Sequence, residues 1–166
     1  MNAAHYHLIL NHIPVLATFF SIAVLIWGMV ANNKSIKLVA LVGFIVAGIS
    51  VIAVFQTGES AEEIVEEIAA VTHESIENHE EAADVAQWLT IILGAGGLAG
   101  LVMLAKSVKG LSRFLWVLLV YAIVTATSLA YTANLGGEIR HSEILESTET
   151  TQSANLQDNN DRVPDL

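Results

Sequence analysis

Ile36 to Phe55 reads IKLVALVGFIVAGISVIAVF, a run whose only charged residue, Lys37, stands at its second position. An α-helix rising ~1.5 Å per residue needs about 20 such residues to cross the ~30 Å of hydrocarbon in a bilayer. Three more runs of this kind carry no charged side chain: Ile13 to Ala31, Val85 to Ala105 and Phe114 to Leu135. The chain is therefore expected to be all-α, an integral membrane four-helix bundle. Asn32-Asn33-Lys34-Ser35 joins the first two runs, and Lys106 to Arg113, with Gly110, joins the last two. Connections this short suit antiparallel neighbours, so the spans pair as two helical hairpins.

Composition agrees. Of 166 residues, 54% are hydrophobic, and the mean hydropathy of +0.57 is too high for a soluble domain. Residues 1–141 read as one transmembrane domain and 142–166 as a tail. The net charge is -10, from 17 acidic and 7 basic residues, which disfavours nucleic acid as a partner and favours cations. The absence of cysteine removes disulfides, thiolate nucleophiles, iron-sulfur clusters and covalently attached haem. Met1 to Leu10 hold no Lys or Arg and no small-residue cleavage site follows, so the first helix is expected to be retained.

Charge also sets an expected orientation. Lys34, Lys37, Lys106, Lys109 and Arg113 all lie in or beside the two short turns, which the positive-inside rule places in the cytoplasm. Both termini and the middle loop are then extracytoplasmic, as in a multi-pass protein of a bacterial inner membrane. Gly58 to Asp84 holds ten acidic residues and no Lys or Arg, and the remaining seven acids follow the fourth run. Within the loop, Ile64, Val65, Ile68 and Val71 recur at helical spacing among glutamates, predicting an amphipathic interfacial helix. A second loop helix from about Thr72 is expected to run unbroken into the third span. From Ser142 the chain is too polar to offset its ordering entropy and is expected to be disordered. Gly43, Ala47, Gly96 and Gly100 read as close-packing positions. Tyr121, Thr125, Ser128 and Thr132 form one polar stripe on the fourth span, and Thr127, Tyr131 and Asn134 another, both expected to bond across helices.

Topology brings all six histidines (His5, His7, His12, His73, His79 and His141) to one end of the bundle. His12 caps the first helix, Glu59 ends the second, His79 leads into the third, and Glu138 with His141 extend the fourth if it continues through Gly136-Gly137. Glu138 and His141 form a Glu-x-x-His pair of the di-iron type, but neither His73 nor His79 has a Glu three residues earlier, which weakens that reading. The metal-ligating candidates are His7, His12, Glu59, His79, Glu138 and His141, and acidic surroundings favour a divalent transition metal. Ala82, Ala83 and Ala86 beside His79 leave room for haem b, with His12 or His7 facing His79 or His141 as axial ligands and Arg140 meeting a propionate. Asn11 and Glu80 would orient the ligands from behind.

Plainer readings stand beside these. Glu62, Glu63, Glu66 and Glu67 read as a solvated face, His5 and His73 as bystanders, and Pro14 as the first turn of a helix capped by Asn11. Arg140 can equally pair with Glu59 or Glu138. No ionisable group lies near the middle of a span, which disfavours conduction, and no phosphate loop or zinc-protease helix is present.

Four segments carry a resemblance: His5-Tyr6-His7-Leu8-Ile9-Leu10-Asn11-His12-Ile13-Pro14-Val15, Thr57-Gly58-Glu59-Ser60-Ala61-Glu62, His79-Glu80-Glu81-Ala82 and Asn134-Leu135-Gly136-Gly137-Glu138-Ile139-Arg140-His141-Ser142-Glu143. From Tyr6 to Glu143 the chain resembles bacterial four-span inner-membrane proteins of unassigned activity, some joined to or encoded beside cytochrome and Rieske-type redox modules. The resemblance implies electron transfer with a membrane or periplasmic redox protein. It maps onto His7, Asn11, His12, Glu59, Glu62, His79, Glu80, Arg140, His141 and Glu143.

The leading expectation is a redox-linked membrane protein binding haem b or a transition-metal ion through His12, His79 and His141, with His7 or Glu59 completing the site. A second is a non-catalytic subunit that docks a partner through its acidic loop. A third is a quinone-interacting enzyme using Tyr131 and His79. A homo-oligomer is compatible with all three.

Overall fold

A computed structural model of the chain describes residue 7, residues 9–65 and residues 73–140, and for 59–65 and 138–140 the backbone path only. The described elements are four helices: α1 (His12–Val30), α2 (Lys34–Val65), α3 (His73–Ala105) and α4 (Leu111–Arg140). Each is long and apolar enough to cross a membrane, as hydropathy predicted. The tail from residue 142 and the loop positions Glu66, Glu67, Ile68, Val71 and Thr72 lie outside the described residues.

Two helices are longer than their apolar runs. α2 passes Phe55 without a break and continues to Val65, and α3 starts at His73, well before Val85. At ~1.5 Å per residue they measure about 48 and 50 Å, beyond the hydrocarbon of a bilayer. The acidic sequence up to Val65 thus continues the second helix; the rest of the expected loop helix, through Val71, lies outside the described residues. Glu59, Ser60 and Ala61 supply no breaker, and an established helix adds residues at little cost. α4 likewise runs through Gly136-Gly137 to Arg140, since a glycine inside a helix costs only ~1 kcal/mol.

The turns follow local chemistry. Asn33 Oδ1 accepts from the backbone N–H of Ser35 at 2.9 Å and of Ile36 at 3.2 Å, starting α2. Asn32 takes the left-handed φ of 46°, which asparagine tolerates, and its Oδ1 accepts from Lys37 Nζ at 2.8 Å. Ser107 (φ 51°) and Gly110 (φ 95°) reverse the chain before α4.

The helices form a ring in which α1 packs on α2, α2 on α3 and α3 on α4, with α4 closing more loosely on α1. α1 and α3 are therefore diagonal, as are α2 and α4. Leu25, Leu41, Phe44, Leu93 and Leu115 fill the centre. Of the small residues read as packing positions, Gly43 lies over Ser21, Ala47 is fully buried, Gly96 meets Leu118, and Gly100 meets Leu41 and Phe114. One close backbone crossing was not among them: a Cβ on Gly48 or on Gly94 would stand 2.9 Å from the other's Cα. Leu16, Phe20, Trp27, Val30, Trp88 and Val117 point outward while Thr18, Ser21, Thr90 and Thr125 are buried, a distribution suited to lipid.

The polar stripes of α4 depart from expectation. Tyr121 does donate across helices, to the Leu89 carbonyl of α3 at 3.2 Å. Thr125, Thr127 and Thr132 instead donate to carbonyls one turn back in α4, those of Tyr121, Ile123 and Ser128. A threonine hydroxyl reaches its own i−4 carbonyl without any helix having to approach. The stripe of Thr127, Tyr131 and Asn134 is exposed.

Candidate functional site

α1 and α3 begin, and α2 and α4 end, at the same end of the bundle. There the chain before α1 is already helical: the Asn11 N–H donates to the His7 carbonyl at 3.0 Å. That turn lays the half-buried His7 ring on α2. His7 Nδ1 stands 3.1 Å from the Val54 carbonyl oxygen. A carbonyl oxygen can only accept, so Nδ1 carries the proton and Nε2 of the neutral ring keeps its lone pair. Thr57 Oγ1 lies 3.4 Å from His7 Nδ1 while donating to the Val54 carbonyl at 2.8 Å. Gly58 lets the ring approach: a Cβ there would stand 3.2 Å from His7 Cε1. Burial holds the His7 pKa below the ordinary 6.5, opposed by the bond to Val54.

His79 repeats the arrangement on the other pair of helices. Its half-buried ring leans from α3 onto α4, with Nδ1 3.2 Å from the Thr132 carbonyl oxygen. Gly136 is the bare surface beneath it, where a Cβ would stand 3.0 Å from His79 Cε1. The same tautomer argument leaves its Nε2 with a lone pair. The two imidazoles lie at the same end of the bundle, within range of each other's charge.

Asn11 does not cap α1 as the sequence suggested. Its backbone is helical (φ -61°, ψ -24°) and its side chain makes no cap hydrogen bond. A residue that is itself helical does not hold its side chain over the next N–H groups as a cap does, and among the described residues Oδ1 is buried with no hydrogen-bond partner.

Of the other candidates, His12 is exposed, and five residues on from His7 it lies about 140° around the helix. His73, Glu77, Glu80, Glu81 and Asp84 are exposed along α3. Ala86 is 2% exposed and belongs to the packed interior, while Ala82 and Ala83 are half-buried. Glu59, Glu62, Glu63, Glu138 and Arg140 have described backbone only, and His5, His141 and Glu143 lie outside the described residues. Among the described residues no three of His, Cys, Asp and Glu converge. The structure thus seats His7 and His79 on adjoining helices at the same end of the bundle, while His12 is exposed. Sequence reasoning missed the carbonyls of Val54 and Thr132 as anchors, which no side-chain pattern marks. It noted Gly58 and Gly136-Gly137 in the motifs without seeing that two of these glycines carry the rings.

No protein-family model, curated protein or solved structure matches the chain. The resemblance to four-span bacterial proteins accordingly rests on the quoted motifs.

Proposed function

We propose that the chain is a multi-pass protein of a bacterial inner membrane that binds a transition-metal centre at its extracytoplasmic end and serves electron transfer. His7 and His79 are the ligands, and the centre is the iron of a b-type haem or a divalent ion. One observation carries this reading: two imidazoles from diagonal helices each place Nδ1 on a carbonyl of the adjoining helix. Metal-ligating histidines are fixed in this way, because the outer hydrogen bond sets both the tautomer and the ring plane. His7 replaces His12 as the ligand from the first helix.

A b-type haem needs only two ligands from the protein, and Arg140 is the sequence's candidate to meet a propionate. A bare ion needs a third and fourth donor, for which Glu59, Glu138 and His141 are the candidates the sequence offers. The orientation rests on the lysines and Arg113 at the opposite turns, and the redox role on the family resemblance. The test is an absorption spectrum of detergent-purified protein, oxidised and then reduced, with elemental analysis of the same sample. Reducible Soret and alpha bands lost in His7→Ala and His79→Ala support haem, and stoichiometric metal without them supports the ion. A protein carrying neither, and taking up neither, overturns the proposal.

A further inference from the structure

Three polar atoms at this end share one property. His7 Nε2 and His79 Nε2 present lone pairs, because each Nδ1 donates to a carbonyl. Asn11 Oδ1 is the third acceptor, buried and, among the described residues, without a partner. A buried carbonyl oxygen left unbonded is destabilising, so its retention asks for an explanation. Helical register relates it to His7. The bond from the Asn11 N–H to the His7 carbonyl shows an i, i+4 pair on one face, with Cβ atoms about 5–6 Å apart. That is the separation at which two helical side chains grip one metal ion.

Building on the reading of His7 and His79 above, we infer that Asn11 Oδ1 is a third donor of the site and that the occupant is a bare divalent transition-metal ion. Acceptors alone match a cation. Haem iron, already held by four porphyrin nitrogens and two imidazoles, has no place for an amide oxygen. Two imidazoles and a carbonyl form an uncharged donor set that leaves the ion's charge unneutralised. The exposed carboxylates of Glu74, Glu77, Glu80, Glu81 and Asp84 along α3 raise the local cation concentration around it.

The test uses full-length protein in detergent, stripped with chelator and titrated with Co²⁺, whose visible ligand-field bands report its donors. Asn11→Leu should weaken cobalt binding at least ~10-fold and shift the bands. Asn11→Asp, which offers the same oxygen with a negative charge, should tighten binding. Circular dichroism checks that each variant folds, and if Asn11→Leu does not, Asn11→Asp decides: no tightening overturns the inference. Wild-type affinity in Asn11→Leu removes Asn11 from the site while leaving the two histidines. Copurified haem whose spectrum Asn11→Leu leaves unchanged rejects the ion and keeps the His7 and His79 pair. A protein with neither cobalt uptake nor haem overturns both readings.

Discussion

Replacing Gly136 with alanine tests the seat of His79 directly. The added Cβ would stand 3.0 Å from His79 Cε1 and 3.4 Å from its Nδ1. Carbon atoms in contact prefer about 3.5–4.0 Å, so the ring must withdraw from α4 by roughly half an ångström or more. Its bond to the Thr132 carbonyl, on the same helix, is already 3.2 Å, the long limit of the ~2.7–3.2 Å range, and withdrawal breaks it. The lost bond costs about 1 kcal/mol and the crowding ~1–3 kcal/mol. Alanine's helix preference returns ~1 kcal/mol. The net loss is therefore about 1–3 kcal/mol of stability. Binding suffers more, because freeing a ligand's outer hydrogen bond typically costs ~10- to 100-fold in metal affinity. Gly137→Ala is the control: its Cβ meets nothing within 4 Å, so it gains up to ~1 kcal/mol with binding unchanged. Equilibrium unfolding in mixed micelles and a metal titration on both variants measure the pair. If Gly136→Ala and Gly137→Ala unfold and bind alike, the account of His79 is wrong.

Three further outcomes are expected. Gly48→Ala puts its Cβ 2.9 Å from Gly94 Cα and 3.2 Å from the Thr90 carbonyl oxygen. Backbone cannot swing aside, so α2 and α3 should part at a cost of about 1–3 kcal/mol, read by unfolding in micelles. The metal-free protein should lose stability as pH falls below 6.5: there the unfolded chain takes up a proton that the buried His7, with its pKa held lower, resists. Unfolding midpoints across pH 5 to 8 should show this slope, and His7→Phe should reduce it. Because the chain has no cysteine, Glu74→Cys and Lys109→Cys provide clean topology probes. An impermeant thiol reagent on intact cells should label the first and spare the second, and the reverse pattern would invert the orientation.

The spans were legible because hydropathy is a local property. Ile36 to Phe55 needs no partner to declare itself apolar, and the turns at Asn32-Asn33 and Gly110 carry their chemistry in the residues that make them. The collection of His7, His12 and His79 at one end also follows from counting crossings. The continuation of α2 to Val65 is not marked by hydropathy, because glutamates end the apolar pattern, whereas a helix stops only where its backbone is broken or capped elsewhere.

Which histidine faces the interior was beyond sequence reading. His7 and His12 have the same chemistry and both precede the first apolar run, and one extra helical turn ahead of α1 decides between them. That turn also converts Asn11 from an expected cap into a buried acceptor. The Gly48 and Gly94 crossing and the seats at Gly58 and Gly136 depend on which residue of one helix lies opposite which residue of the next. Composition and local pattern along the chain determine how many helices there are and where they start to be apolar. Only packing in three dimensions sets their rotation and register, because these are fixed by contacts between residues far apart in the chain.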